Sequence, residues 1–391
     1  MNLPLRKFGK TGLDVSALGF GCMRFPVIDG DVSKINKPEA TAMIHKAIDA
    51  GLNYLDTAYP YHGSNFPQAG ESEPFVREAL QGGYREKVNL VTKLPLWNVQ
   101  TRDDMDRLLD EQLGRLGVDR FDVYLAHNFN ANSWPRMKKL DIFSFLDKVV
   151  NEGRARTVGF SFHDNYGMFE EIMNSYDWPV VQLQYNYLDV NYQAGQRGVR
   201  LAKEKGAAVV IMEPLRGGFL INRIPAELQA MLREVRPEWS LADWALRWLW
   251  SQPEVDIVLS GMSTMEQVEE NLRIAASPPD FGARETEALE QVRQWFADRL
   301  KVDCTACGYC LPCPKGVSIP KIFGYYNEFH MADDPEIRRR GRMFYASTVT
   351  ESERADNCVK CRICEKRCPQ GIEISRHMPQ AALDLAEEVA K

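Results

Sequence analysis

The chain has 391 residues, 45% of them apolar, and a formal net charge of −6; that is room for one large domain and a small one. Mild acidity without a long basic tract argues against nucleic acid, and no apolar run reaches membrane-span length, the densest, 242–250, being broken by Asp243 and Arg247. The opening MNLPLRKFGK carries no apolar signal segment, so a soluble protein of the reducing cytoplasm, with no membrane partner, is expected.

In chain order, short β-rich runs alternate with longer amphipathic stretches up to residue 300. Strands are predicted at 15–21, 53–57, 88–94, 121–127, 156–161, 180–186, 208–213 and 255–261. Helices are predicted at 38–50, 73–80, 103–116, 142–152, 196–205, 241–251, 265–276 and 284–300. Eight strand–helix repeats point to a closed (β/α)8 TIM barrel over 1–300. An open doubly wound sheet is the alternative, but no G-x-G-x-x-G follows the first strand. Cys22 reads as a small core residue.

Barrels of this kind work at the C-terminal ends of their strands. There stand Asp56, with Tyr61 five residues on, then Lys93 and His127. Together they suit carbonyl reduction. A tyrosine hydroxyl can give a proton to a developing alkoxide if an ammonium lowers its pKa, a carboxylate holds that ammonium, and histidine adds a second donor. Singly, each is as well explained as a structural ion pair or a hydrogen-bonded core group. Four at successive strand ends favour chemistry. The 128–139 loop with Trp134, and Trp97 after the third strand, are candidates to wall the mouth, or ordinary packing.

Eight of nine cysteines lie in two runs, Cys304-x-x-Cys307-x-x-Cys310-x-x-Cys313-Pro and Cys358-x-x-Cys361-x-x-Cys364-x-x-x-Cys368-Pro. The second has the bacterial ferredoxin spacing; the first is one residue shorter before its last cysteine. In such runs the first three thiolates hold one cubane and the fourth reaches the other. Two [4Fe–4S] clusters follow: Cys304, Cys307, Cys310 and Cys368 on one, Cys358, Cys361, Cys364 and Cys313 on the other. Zinc would not explain a third cysteine at the same step or two Cys-Pro endings. The expected fold over 301–391 is a ferredoxin-like domain. The 319–350 segment would separate the runs, with Phe323, Tyr325, Tyr326 and Phe329 packing, and a helix at 379–389 would cap the tail. Arg338, Arg339, Arg340 and Arg342 read as a solvated helix face, with docking of a redox partner as the alternative.

The segment Asn53-Tyr-Leu-Asp56-Thr-Ala-Tyr-Pro-Tyr61 resembles the aldo-keto reductase signature, as do Leu90-Val-Thr-Lys93 and Leu125-Ala-His127-Asn128. The opening from Leu5 to Ser16 looks like that family's N-terminal hairpin, and the whole chain is similar to a subgroup fused to a ferredoxin-like tail. The resemblance implies a nicotinamide cofactor, NAD(P)H, across the barrel mouth. It implies Tyr61 as proton donor, Lys93 and Asp56 tuning it, and His127 orienting a small carbonyl or alcohol substrate. It places Gln182 and Ser161 at the carboxamide, Met212 where a tyrosine usually stacks on the ring, and Glu270 and Asn271 near the adenine. Gly261 and Gln267 stand where many members carry Lys and Arg for the 2′-phosphate, so NADP preference is unsupported.

Nicotinamide moves two electrons as a hydride and each cluster moves one, so joining them calls for a flavin or a similar centre. Arg216-Gly217-Gly218 and Ser260-Gly261 are where a barrel could seat a flavin phosphate, although turn-forming glycines account for both more simply. The favoured reading is a carbonyl/alcohol oxidoreductase whose clusters relay electrons to or from a partner protein. The alternatives are a plain NAD(P)H reductase with structural or sensory clusters, and an electron carrier with a vestigial barrel.

Overall fold

Eight short runs of almost wholly buried residues form the parallel strands of the first of two units in this computed structural model, which describes residues 3–64, 67–277, 280–306, 308–332 and 334–386. Contacts divide the chain into Met1–Leu215 with Arg236–Gly282, and Arg216–Val235 with Ala283–Lys391.

In the first unit an antiparallel hairpin, β1 (Leu5–Lys7) and β2 (Asp14–Ser16), precedes the barrel. The barrel strands are β3 (Leu18–Gly21), β4 (Tyr54–Asp56), β5 (Asn89–Pro95), β6 (Phe121–Phe129), β7 (Ala155–Phe162), β8 (Val180–Gln184), β9 (Ala208–Met212) and β10 (Ile257–Ser260). All pair in parallel and the sheet closes between β10 and β3. The predicted closed eight-stranded barrel is therefore present.

Side chains two apart on a strand share a face. Tyr54, Val91, Val123, Leu125, Val180, Val210 and Leu259 form one apolar cluster inside the barrel. Phe8, Leu13 and Val15 of the hairpin join it, the Phe8 ring meeting Tyr54 edge-on at 5.6 Å. This seals one end. The hairpin turn lies so near β9 that a Cβ on Gly9, at φ +51°, would stand 2.8 Å from the Ala208 backbone nitrogen. Two residues further along the same faces the chemistry changes. Asp56 follows Tyr54, Lys93 follows Val91, His127 follows Leu125, and Gln182 follows Val180. A polar layer thus caps an apolar one at the C-terminal end, as fixed register dictates.

The second unit corrects one expectation. Among the described residues of 303–373 there is no strand, so the tail is not a ferredoxin-like β-fold. Helices Ile319–Met331 and Pro335–Thr348 occupy the gap between the cysteine runs, and helix Ile374–Leu385 follows the second. The physical reason is legible at 319–326, where Ile319, Ile322, Phe323 and Tyr326 recur at helical spacing and are all buried. The final helix begins earlier than expected and carries Pro379 inside it; residues 387–391 lie outside the described part. No helix among the described residues is long and apolar enough to cross a membrane.

Candidate active site and cysteine centre

Lys93 is the hub of the barrel mouth. Its side chain is buried, and Nζ donates to Asp56 Oδ1 at 2.6 Å, to the Thr57 carbonyl at 2.8 Å and to the Tyr61 hydroxyl at 3.4 Å. The Tyr61 ring stands edge-on to His127 with centroids 6.2 Å apart, and Trp97 lies 4.9 Å from the same imidazole. The structure therefore brings Asp56, Tyr61, Lys93 and His127 to one place.

A hydrogen-bonded wall fixes Lys93 from behind. Glu73, with no exposed surface, accepts from Thr92 Oγ1 (2.7 Å), Gln112 Nε2 (2.8 Å) and Arg115 Nε (2.7 Å). Gln112 Nε2 also donates to the Lys93 carbonyl at 3.0 Å. Sequence reasoning passed over Glu73 because its partners come from a distant strand and helix; its buried-facing position on a short amphipathic helix was the available signal.

Electrostatics differ from expectation at Tyr61. The phenol is held well above its ordinary pKa of 10, by burial first and then by Asp56, Cys22 and Glu213, with Arg24 opposing. Burial outweighs the lowering by the Arg24 guanidinium, and Tyr61 keeps its proton across neutral pH. Burial also raises the Asp56 carboxyl, with Lys93 opposing. Burial, with Lys93 and His163 adding, depresses His127 far below 6.5, so its imidazole is neutral. Asp56 Oδ2, His127 Nδ1 and Gln182 Oε1 are buried without a hydrogen-bond partner among the described residues.

The residues expected at a cofactor divide into two groups. Gln182 faces the mouth with Nε2 3.8 Å from the Met212 sulfur, which leaves a buried amide poorly satisfied on both sides. Ser161 Oγ accepts from the Asn128 backbone N–H at 2.8 Å. Gly261 lies against the Arg24 side chain, where a Cβ would meet it at 3.3 Å. Gln267 and Asn271 have structural duties: Gln267 Oε1 accepts from the Ser263 N–H at 2.7 Å, and Asn271 Nδ2 donates to Ser260 Oγ at 2.7 Å. Glu270 sits half-buried on the same helix, Met265–Ala275. Arg24 and Glu213, both felt at Tyr61, were not singled out from sequence; each stands just past a strand end, Glu213 directly after Met212 and Arg24 two places after Cys22. Trp134 is not a lid. It is buried against Phe129, ring centroids 5.1 Å apart, and donates from Nε1 to Glu171 at 2.7 Å.

In the second unit Cys304, Cys310 and Cys368 line one pocket with Phe323, Ile372 and Ile374. Cys310 and Cys364 are buried in the apolar cluster of the tail; Cys304, Cys313, Cys358 and Cys368 pack against it, and Cys361 is exposed. Cys307 lies outside the described residues. Burial pushes the Cys310 thiol up to about 12, with Cys304, Cys368 and Cys364 adding, and Cys364 up to about 11, with Glu365 and Cys313 adding. Each run turns in the same way. Residues on either side of the middle cysteine, Ala306 and Gly308 in the first and Lys360 and Arg362 in the second, all have positive φ. Such turns aim backbone N–H groups at an anion, and Ala306 N–H reaches Cys304 Sγ at 3.4 Å. No three His, Cys, Asp or Glu among the described residues stand close enough to share one metal ion. A cubane instead takes one thiolate at each iron, from ligands that stand apart, and the donor chemistry fits that group.

A barrel with buried polar groups at the C-terminal ends of its strands, joined to a cysteine-rich helical tail, defines an oxidoreductase with an iron–sulfur module. Residues 17–293 match the model of the aldo/keto reductase family, and 303–373 match a 4Fe-4S dicluster domain. The chain belongs to the aldo/keto reductase family. It is 26% identical over 309 residues to L-galactose dehydrogenase of Arabidopsis thaliana, covering 74% of this chain and 93% of that one. It is 25% identical over 340 residues to L-glyceraldehyde 3-phosphate reductase of Escherichia coli O157:H7, covering 76% and 93%. The holo form of aldo-keto reductase AKR11C1 from Bacillus halodurans shares the fold, with TM-score 0.60, 24% identity, and 74% and 96% of the chains covered.

Proposed function

We propose that the protein interconverts a small carbonyl and its alcohol at Tyr61 and exchanges electrons with a partner protein through two [4Fe–4S] clusters. The observation that carries the reading is the chain of contacts Asp56–Lys93–Tyr61 beside a neutral His127. Tyr61 gives its proton to the developing alkoxide, which is the stronger base even against a raised phenol pKa. The Lys93 ammonium at its oxygen stabilises the phenolate left behind, and Asp56 keeps that ammonium in place. Neutral His127 donates one hydrogen bond to the carbonyl oxygen and so orients it. The relatives named above are by their names a dehydrogenase of L-galactose and a reductase of L-glyceraldehyde 3-phosphate, which favours a small, polar hydroxy-carbonyl substrate here.

A nicotinamide cofactor supplies the hydride when bound. The unsatisfied Gln182 amide, with Ser161, would hold its carboxamide. Arg24, which makes no ion pair among the described residues, offers the mouth a positive charge. Bound clusters supply one-electron exchange, held by Cys304, Cys307, Cys310 and Cys368 and by Cys358, Cys361, Cys364 and Cys313. The test is Tyr61→Phe: turnover of aldehyde probes should fall at least about a hundredfold, the usual scale of general acid catalysis, with iron content unchanged. Undiminished turnover would remove Tyr61 from the mechanism.

A further inference from the structure

The second unit contains a cavity of about 630 Å³ that the barrel chemistry does not use, and Cys304 forms part of its wall. It is bordered by the turn at 216–223, the first cysteine run, and the helices Ile319–Met331 and Pro335–Thr348. Its size lies within the range of small-molecule sites.

Two features mark the space as built. Gly324 and Gly341 lie inside the two helices, both line the cavity, and a Cβ on either would meet nothing within 4 Å. Glycine inside a helix weakens it where alanine would not, so two glycines opening on one void are a cost without return unless something fills it. The walls also have a defined chemistry. Phe219, Tyr325 and Phe344 supply aromatic surface, Phe344 remaining 56% exposed. Arg216 is buried, pairs with Asp303 at 2.8 Å and lies over the Phe219 ring at 5.2 Å. Arg223 pairs with Glu328. Lys321 donates to the Thr348 carbonyl at 3.3 Å and makes no ion pair among the described residues, although the Glu353 carboxylate feels its charge.

We propose that this cavity binds a flavin nucleotide of the flavin mononucleotide class, its ring among the aromatic side chains and its phosphate at Lys321. Aromatic walls select a planar ring, the cation selects a phosphate, and the neighbouring cysteine calls for a ligand that trades single electrons. A flavin accepts two electrons together and releases them singly. In balance, one reduced flavin gives one electron to each of two oxidised clusters and two protons to water, leaving oxidised flavin and two reduced clusters. This redox role rests on the reading of the cysteines as cluster ligands; the binding does not.

The test is an anaerobic fluorescence titration of the iron-replete full chain with flavin mononucleotide and, separately, with riboflavin. Flavin emission should quench with a Kd of about 1 μM, and riboflavin should bind roughly tenfold more weakly for lack of the charged contact. Lys321→Ala should abolish that difference. Gly324→Phe, which fills the void from a helical position, should weaken both ligands at least about tenfold with melting temperature and iron content maintained; Gly341→Leu fills it independently should the first variant fold poorly. No quenching at about a hundred times that Kd, or quenching untouched by both filling variants, overturns the site. Iron, assayed on the same samples, reports on the cluster reading apart from the flavin: quenching by protein that fails to take up iron would support the cavity and sink the clusters.

Discussion

Replacing Lys93 by methionine keeps the length of the side chain and removes its charge. Asp56 is then left buried, with Oδ1 deprived of its 2.6 Å partner and Oδ2 already without one. A lone buried carboxylate is too costly to stay ionised and takes up a proton instead. In the unfolded chain the same aspartate has a pKa of about 3.9 and is ionised. The folded variant therefore binds the extra proton, and its stability falls as pH rises, by about 1.4 kcal/mol per unit. That sets a destabilisation of about 4 kcal/mol at pH 7 and about 1.5 kcal/mol at pH 5, against a total of roughly 5–15 kcal/mol for a typical domain. Urea unfolding of Lys93→Met followed by tryptophan fluorescence at the two pH values measures both numbers. The double variant Asp56→Asn/Lys93→Met, which buries no charge, should show a deficit that does not change with pH. An equal deficit at pH 5 and pH 7 in the single variant would refute the reasoning, because Asp56 would then not be the group left uncompensated.

Glu73→Ala strips three donors, among them the Arg115 guanidinium, of one acceptor; a loss of about 3–5 kcal/mol is expected, read as a lowered melting temperature. His163 is depressed to about 4 by burial, with Gln193 opposing. The unfolded chain takes the proton first, so stability falls as pH drops from about 6.5 toward 4, by less than about 3 kcal/mol since the ring is partly exposed. His163→Gln should flatten that part of the urea-stability profile, and an unchanged slope would exclude this histidine. Cys364→Ser should lower bound iron and speed amide exchange in helix Ile374–Leu385, whose Met378 and Ala381 share the apolar cluster with Cys364; full iron retention would exclude Cys364 as a ligand.

The barrel was legible because its two periods are simple. Runs such as 121–127 are too short for a helix and too apolar for a loop, and the stretches between them carry helical spacing. The polar layer was legible for a related reason: once a strand's inner face is fixed by Tyr54 or Val91, the residue two places on must face the same way. What the chain order hides is pairing across distance. Glu73 reaches Arg115, and Arg24 lies beside Gly261, through contacts that no local pattern announces. Trp134 went into the core because the short helix Trp134–Lys139 presses it against Phe129. The tail was misjudged in fold because cysteine spacing constrains ligands and not the backbone between the runs. There the helical recurrence of Ile319, Ile322, Phe323 and Tyr326 was the stronger signal.

The central claim is that two-electron chemistry in the barrel and one-electron exchange in the tail belong to one enzyme. The measurement that tests it most directly is an anaerobic titration of the iron-replete protein with NADH and then NADPH, in the presence of flavin mononucleotide, following the visible absorption of the clusters. The account predicts bleaching within turnover time and its loss in the cavity-filling Gly324→Phe variant. Clusters that stay oxidised while an aldehyde is still reduced would contradict it, and would leave a reductase whose tail takes no part in the reaction.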